Sequence, residues 1–260
     1  MHTPRATPVH APRAAMAALC AVLLGITGCE TSAPMVIELT GAHATLASAE
    51  MLRLATLGIE LTTALHEDPE ASECPNLTIE GNVQVLDYGG GCPPTSGSTA
   101  DGISGQIQFT VAPSTGWFVG SFTDLGFSGH TIAGELSGSY TAVGDDSFFD
   151  LQFTSVQRTD RTDLTLDGLF EIEATGDEYV INVDGGLMVG PDSVDTDVLL
   201  VGVTVHNGSL DSCVQPTAGS IELRRGRHIG TLNFSAESAS SGSAPFLLNS
   251  APNGSILICS

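Results

Sequence analysis

Apolar and polar residues alternate along most of the chain beyond residue 76, and this period of two is typical of β-strands. The clearest run is LTLDGLFEIE, residues 164–173, in which acidic or hydroxyl residues separate most of the apolar ones. One face of such a strand is dry and the other is solvated, as in an antiparallel sheet. The dry face of this run carries Leu164, Leu166, Gly168, Phe170 and Ile172.

Similar short runs recur between turn residues down to the end of the chain. They lie near 77–85, 103–111, 117–123, 131–140, 149–153, 179–183, 199–205, 221–223, 229–234 and 255–259. Many short strands with frequent turns predict a mainly β fold, an antiparallel meander that forms a sandwich or an open barrel. The low-complexity run SAESASSGSAP, residues 235–245, predicts a disordered loop.

One segment departs from the period of two. In residues 45–65 the apolar positions are three to five residues apart, which is the spacing of one face of a helix. These positions are Leu46, Met51, Leu54, Leu57, Leu61 and Leu65. The pattern predicts one N-terminal helix packed on the sheet, weakened in its middle by up to ~1 kcal/mol at Gly58.

The first hairpin is predicted from the sequence NLTIEGNVQV. Pairing Ile79 with Val83 puts apolar residues opposite each other and requires a three-residue loop, residues 80–82. A two-residue Gly-Asn turn would place Ile79 opposite Gln84, so the three-residue loop is preferred. A later hairpin, with Tyr179 opposite Ile172, is predicted to have a tight, even-numbered loop around Thr175-Gly176.

The first 28 residues have the layout of a secretory signal peptide. Arg5 and Arg13 precede an uncharged apolar run from Ala14 to Ile26, which is shorter than the about 20 residues that span a membrane. Residues 26–29, Ile-Thr-Gly-Cys, resemble the lipobox of bacterial lipoproteins.

That resemblance implies cleavage after residue 28 and lipid attachment to Cys29. Residues 29–34 are then a lipidated tether and residues 35–260 a single helix-plus-β domain. Glu30 implies the outer membrane by the sorting rule of enterobacteria, with the periplasmic or surface face unresolved. The alternative is an ordinary signal peptide that leaves a soluble domain with an unpaired cysteine.

The amino-acid composition limits which kinds of partner the protein can bind. The chain has 30 acidic residues and no lysine, and loss of residues 1–28 removes two of its eight arginines, which leaves a formal charge of −24. A protein of this charge repels phosphate backbones and anionic lipid surfaces, so nucleic-acid binding is not expected.

Four cysteines remain once Cys20 leaves with the signal peptide and Cys29 carries lipid. An even number in an exported chain favours disulfides. We expect a local pair, Cys74 with Cys92, because the first hairpin brings its two ends together, and then Cys213 with Cys259. The chain-entropy relation gives about 3 and 4 kcal/mol for the two bridges.

The segment from Cys74 to Cys92 has the form C-P-x-L-T-I…D-Y-G-x-G-C. With the lipobox and the helix, it is similar to uncharacterised lipoproteins of high-GC bacteria such as myxobacteria. Because those relatives have no assigned activity, the resemblance implies no mechanism.

Motifs for catalysis are incomplete. The sequence Gly-Phe-Ser-Gly-His, residues 126–130, has its second glycine one place too early for a nucleophile elbow. The absence of lysine excludes Ser-Lys and Schiff-base chemistry. No CxxC or HxxxH spacing indicates a zinc site. We therefore predict no catalytic residue, no metal site and no cofactor.

Acidic residues raise two further possibilities, a glycosidase-type active site and a structural Ca²⁺ site. Neighbouring carboxylates occur at 145–146, 160 and 163, 177–178, and 195 and 197, but a glycosidase also needs aromatic platforms and the chain has one Trp. The loops 145–150 and 192–197 could hold Ca²⁺ as a structural ion, although neither matches an EF-hand loop.

These observations give three functional hypotheses. The first is a non-enzymatic, lipid-anchored cell-envelope domain with a structural or surface-interaction role, bound to the membrane through Cys29 and with an envelope protein as a candidate partner. The second is a carrier for an acyl chain or other apolar ligand, which needs a cavity of several hundred Å³ between helix and sheet. The third is a secreted hydrolase that uses paired carboxylates.

Overall fold

The computed structural model describes residues 39–66, 74–92, 102–189, 196–206 and 216–257, without the side chains of 162, 163 and 257. Contacts divide the chain after Val36, and every described residue belongs to the second unit, 37–260. Within the described residues, no helix is both long and apolar enough to cross a membrane.

The described chain contains a long helix, thirteen strands and a short second helix. The elements are α1 (Gly41–His66), β1 (Asn76–Glu80), β2 (Val83–Cys92), β3 (Ile103–Val111), β4 (Phe118–Phe127), β5 (His130–Val143), β6 (Asp146–Arg158), β7 (Arg161–Thr175), β8 (Glu178–Val189), β9 (Thr196–His206), β10 (Ala218–Arg225), β11 (His228–Asn233), α2 (Ala236–Ser241), β12 (Ser243–Leu248) and β13 (Ala251–Leu257).

All thirteen strands form one antiparallel sheet in which each strand pairs with the next one in the sequence. The prediction of a mainly β, antiparallel meander with an N-terminal helix is confirmed. Turns therefore alternate between the two ends of the sheet. The β4–β5, β6–β7 and β10–β11 turns share one end, and the β5–β6 and β7–β8 turns share the other.

The sheet curls around α1. The helix contacts β2 near one edge of the sheet, β13 at the opposite edge and β6, β7 and β8 in the middle. It is buried beyond the single predicted face: Leu52 and Ile59 lie off that face and are at most 3% exposed. The inner face of an open barrel is thus covered by a helix and not by a second sheet.

Each end of α1 marks one end of the barrel. At its start, Leu39 lies against Gly230 of β11 and Gly41 lies against Ile256 of β13. At its end, the His66 ring lies 4.7 Å from that of Tyr140. We call the first the helix-start end and the second the helix-finish end.

The predicted register of the first hairpin is wrong. Gly81 and Asn82 form a two-residue turn, and Ile79 lies opposite Gln84. The prediction assumed that Ile79 is buried, but its side chain is 51% exposed at the sheet edge, so its burial does not decide the register. Gly81 has φ of +67°, a conformation that suits a tight hairpin turn.

The later hairpin is tight, as predicted, with Gly176 and Asp177 as its two turn residues. Its register differs by two residues, because Ile172 pairs with Ile181 and Tyr179 pairs with Ala174. A shift of two leaves every side chain on the same face. The predicted alternation is therefore unaffected.

The run 235–245 is ordered, which contradicts the predicted disordered loop. Ser235 caps α2 through its hydroxyl, which accepts from the Ser238 amide, and the chain from 243 onward forms β12. Small polar residues favour this cap because their side chains replace the missing backbone acceptors at a helix start.

The local disulfide between Cys74 and Cys92 is confirmed, with their Cα atoms 5.6 Å apart. The lipidation site Cys29 and the second predicted pair, Cys213 and Cys259, lie outside the described residues.

Candidate functional site

A cluster of charged side chains joins α1 to the barrel wall at the helix-start end. Glu50 of α1 is only 4% exposed. Its Oε1 accepts from Arg158 Nη1 at 2.9 Å and from Arg53 Nη1 at 2.8 Å. We call these residues, with Asp160 and His130, the Glu50–Arg158 cluster.

Strand geometry brings Arg158 to Glu50. Phe153, Val156 and Arg158 occupy inner-face positions at the end of β6, where the chain turns into β7. Asp160 in that turn binds Arg158 through both carboxylate oxygens, at 3.0 Å to Nε and 2.6 Å to Nη2. The guanidinium is therefore held between a buried carboxylate on the helix and an exposed one in the turn.

His130 joins the cluster from the neighbouring β4–β5 turn. Its Nδ1 lies 3.0 Å from Arg158 Nη2 and accepts from that donor, which places the ring proton on Nε2. The two turns are also linked directly, since the Thr159 amide donates to the Thr131 carbonyl at 2.9 Å. The cluster thus ties two hairpins to the helix.

Electrostatics fix the charge states of the cluster. The hydrogen bond from Arg158 lowers the pKa of Asp160 to about 2, and the bond to Asp160 raises the pKa of Arg158. Burial, followed by the charge of Arg158, lowers the pKa of His130. At neutral pH Asp160 and Arg158 are therefore both charged, and the neighbouring His130 imidazole is neutral.

The cluster has little room for a reactant. A cavity of about 20 Å³ adjoins it, lined by Leu54, Phe127, Ile132, Val156 and Leu166 beside the charged groups. That volume is about enough for one water molecule. Glu50 already accepts from two guanidiniums, so its carboxylate is engaged in ion pairs rather than poised as an acid or a nucleophile.

The near-miss elbow at 126–130 is a plain hairpin. Phe127 pairs with His130, and Ser128 and Gly129 form the turn between β4 and β5. A nucleophile elbow needs a helix after its serine. Of these five residues, His130 contributes to the charged cluster.

The predicted carboxylate pairs are dispersed. Asp145 lies in the β5–β6 turn and Asp146 begins β6. Asp177 and Glu178, at the β7–β8 turn, lie at the same helix-finish end, far from Glu50. Asp163 and Asp195 fall outside the described side chains. Among the described residues, no group of three or more His, Cys, Asp or Glu side chains could hold a metal ion.

An open groove of about 220 Å³ lies on the outer face of β8 to β10. It is lined by Asp184, Asp197, Val198, Leu199, Glu222 and Arg224. Glu222 Oε1 accepts from Arg224 Nε at 2.6 Å. The groove is shallow and its single cation is already paired, so it resembles an ordinary solvated face more than a binding site.

The helix–sheet interface is close-packed at its centre. A Cβ added at Gly58 would lie 2.5 Å from Leu151 Cδ1 and 3.2 Å from Phe153 Cε2. Both neighbours are at most 3% exposed. No ligand fits between α1 and β6 at this point.

Comparison with known proteins gives no relative: no protein-family model, no curated protein and no solved structure matches this chain. The function of this protein therefore has to be inferred from its own residues.

Proposed function

We propose that this protein is a lipid-anchored cell-envelope domain with a non-enzymatic structural or surface-interaction role. The observation that carries the non-enzymatic part is the filled interior: α1 occupies the barrel and is buried beyond a single face. A barrel used as a container would keep that space for a ligand.

The anchor is supported by the sequence. The lipobox Ile-Thr-Gly-Cys follows an apolar run with a basic start, in the order and spacing of lipoprotein signals. Each buried CH₂ of an acyl chain contributes about 0.8 kcal/mol, and one short chain binds a bilayer only reversibly. Two or three chains at residue 29 would hold the domain durably at the membrane.

The charged cluster supports a structural role over catalysis. Glu50 and Arg158 form an ion pair inside the barrel, and Asp160 forms a second ion pair with the same guanidinium from its exposed side. Because removal of one partner would leave a buried charge, such a cluster fixes the position of the helix. A hydrolase would need a free carboxylate facing a cleft.

The carrier alternative has less support. The cavity beside α1 measures about 20 Å³, whereas a ligand pocket typically measures ~300–1,000 Å³. The close approach of Leu151 and Phe153 to Gly58 also leaves no space for a ligand between α1 and β6. An acyl ligand would have to displace the helix that forms the core.

The anchor is tested by the intact mass of protein extracted from membranes with detergent. We expect the mass of residues 29–260 plus a diacylglyceryl group and an acyl chain. Cys29→Ala should abolish both the added mass and membrane retention. Cys20→Ala is the matched control, since that cysteine leaves with the signal peptide and its loss should change neither.

An unmodified mass, or membrane retention of the Cys29→Ala protein, would refute the anchor. Protease treatment of whole cells then distinguishes the two faces. Digestion of the domain in intact cells indicates surface exposure, and digestion only after permeabilisation indicates the periplasmic face.

A further inference from the structure

Arg225 is a buried cation for which the described part of the chain provides no counter-charge. It ends β10 on the inner face, where Ile221 and Leu223 precede it at alternate positions, and its exposure is 7%. Its Nε and Nη1 atoms are buried and have no hydrogen-bond partner among the described residues. Buried polar atoms are nearly always paired, and an orphan often marks a missing water or ion.

Arg158 differs from Arg225 in having polar partners for its buried guanidinium. Arg158 is also largely buried, yet it binds Glu50, Asp160 and His130. No described carboxylate pairs with Arg225, and burial lowers its pKa. An unpaired charge in a protein interior is strongly destabilising, so a second group is needed to balance it.

The surroundings of Arg225 favour an anion. Leu223, two residues before it, pairs with Gly230, which lies against Leu39 at the start of α1. In the first turn of α1, His43 has a lowered pKa because of burial and the charge of Arg225. That turn contains no acidic residue, and the amides and dipole of a helix start attract anions.

We propose that Arg225 and the first turn of α1 bind a phosphate-type oxyanion at the helix-start end of the barrel. The oxygens of the anion accept from the guanidinium donors that the protein leaves unsatisfied. The proposal does not depend on the lipid anchor, because it uses only residues of the folded domain.

The arginines are concentrated at this end of the barrel, although several are already paired. Every described arginine lies in the half where α1 begins; they are Arg53, Arg158, Arg161, Arg224, Arg225 and Arg227. Arg53 and Arg158 pair with acidic residues of the Glu50–Arg158 cluster, and Arg224 pairs with Glu222. The opposite end carries Asp145, Asp146, Asp177 and Glu178. In a protein of net charge −22, Arg225 can still form a local cationic site, since Debye screening over about 8–10 Å limits the reach of the distant acids.

Thermal unfolding of the full-length protein tests the site, with sodium phosphate compared with sodium chloride at equal ionic strength and pH. We expect phosphate to raise the Tm by roughly 2–4 °C. Arg225→Met should abolish this rise. Arg227→Gln is the matched control, because Arg227 is exposed in the turn of the same hairpin and its loss should leave the rise intact.

The second measurement is the Tm of each protein in chloride buffer without phosphate. If Arg225 is unpaired, Arg225→Met should unfold at or above the wild-type temperature in the absence of phosphate, because the substitution removes an uncompensated charge. A large fall in Tm would mean that Arg225 has a partner within the chain and would overturn the proposal.

Two sources of phosphate are distinguished with the unlipidated Cys29→Ala protein. If the ligand is a lipid headgroup, this protein should bind vesicles of phosphatidylglycerol and phosphatidylcholine, and Arg225→Met should weaken binding at least tenfold. If the ligand is free phosphate, vesicles should not bind while inorganic phosphate still raises the Tm. Equal responses of wild type and Arg225→Met to both probes would overturn the site, and the mass of the Cys29 lipid would be unaffected.

Discussion

At the scale of single residues, Arg158 is the side chain on which most of the charged contacts converge. A register shift between Phe153 and Val156 moves Arg158 onto the inner face of β6, whereas uninterrupted alternation would place it on the outer face. Its position in the barrel is therefore not readable from the sequence. Its partner Glu50 is not readable either, because it is 108 residues away along the chain. Only once the bulge has placed this charge inward does it demand a counter-charge.

Replacement of Arg158 by Met should lower the free energy of unfolding by about 3 kcal/mol, because it leaves the Glu50 carboxylate buried with only Arg53 as a partner. Urea denaturation measures this change. Arg53→Gln is the control: its side chain is 34% exposed, and we expect a loss of about 1 kcal/mol or less. Equal losses in the two variants would contradict the assignment of Arg158 as the principal partner.

At the scale of elements, α1 shows how packing can reverse a local preference. The helix was predicted from its apolar spacing, and it extends from Gly41 to His66 rather than only 45–65. Gly58 weakens an isolated helix. In the folded protein the missing side chain allows α1 to approach Leu151 and Phe153 of β6.

Gly58→Ala should therefore destabilise the protein by about 1–3 kcal/mol through overpacking, although alanine favours the helix by up to ~1 kcal/mol. The measurement is the denaturation midpoint in urea. The double variant Gly58→Ala, Leu151→Val should recover part of the loss by making room for the added methyl group. A stabilised single variant would show that helix propensity outweighs the contact.

At the scale of the whole molecule, the helix and the sheet depend on each other. Strands from both edges and the middle of the sheet contact α1, so one hydrophobic core is shared by all of them. The sheet by itself would expose its apolar inner face, and the isolated helix would expose nearly its whole surface. Both should therefore form and unfold together.

Leu57→Ala tests this dependence, since Leu57 is fully buried on α1. We expect a loss of about 2–5 kcal/mol from the cavity it leaves. Helix and sheet should still unfold in one transition, so that far-ultraviolet and near-ultraviolet circular dichroism give the same midpoint. Separate midpoints would show that the sheet folds independently of the helix.

The strand alternation, the N-terminal helix, the antiparallel meander and the Cys74–Cys92 bridge can be predicted from the order of residues, because each depends on neighbours along the chain. Three features become visible only in the folded chain: α1 lies inside the barrel, Ile79 lies opposite Gln84, and Glu50 pairs with Arg158. These features depend on how a long sheet curls and which distant side chains it brings together. Curvature of that kind arises from packing of the whole sheet, and no local pattern of residues encodes it.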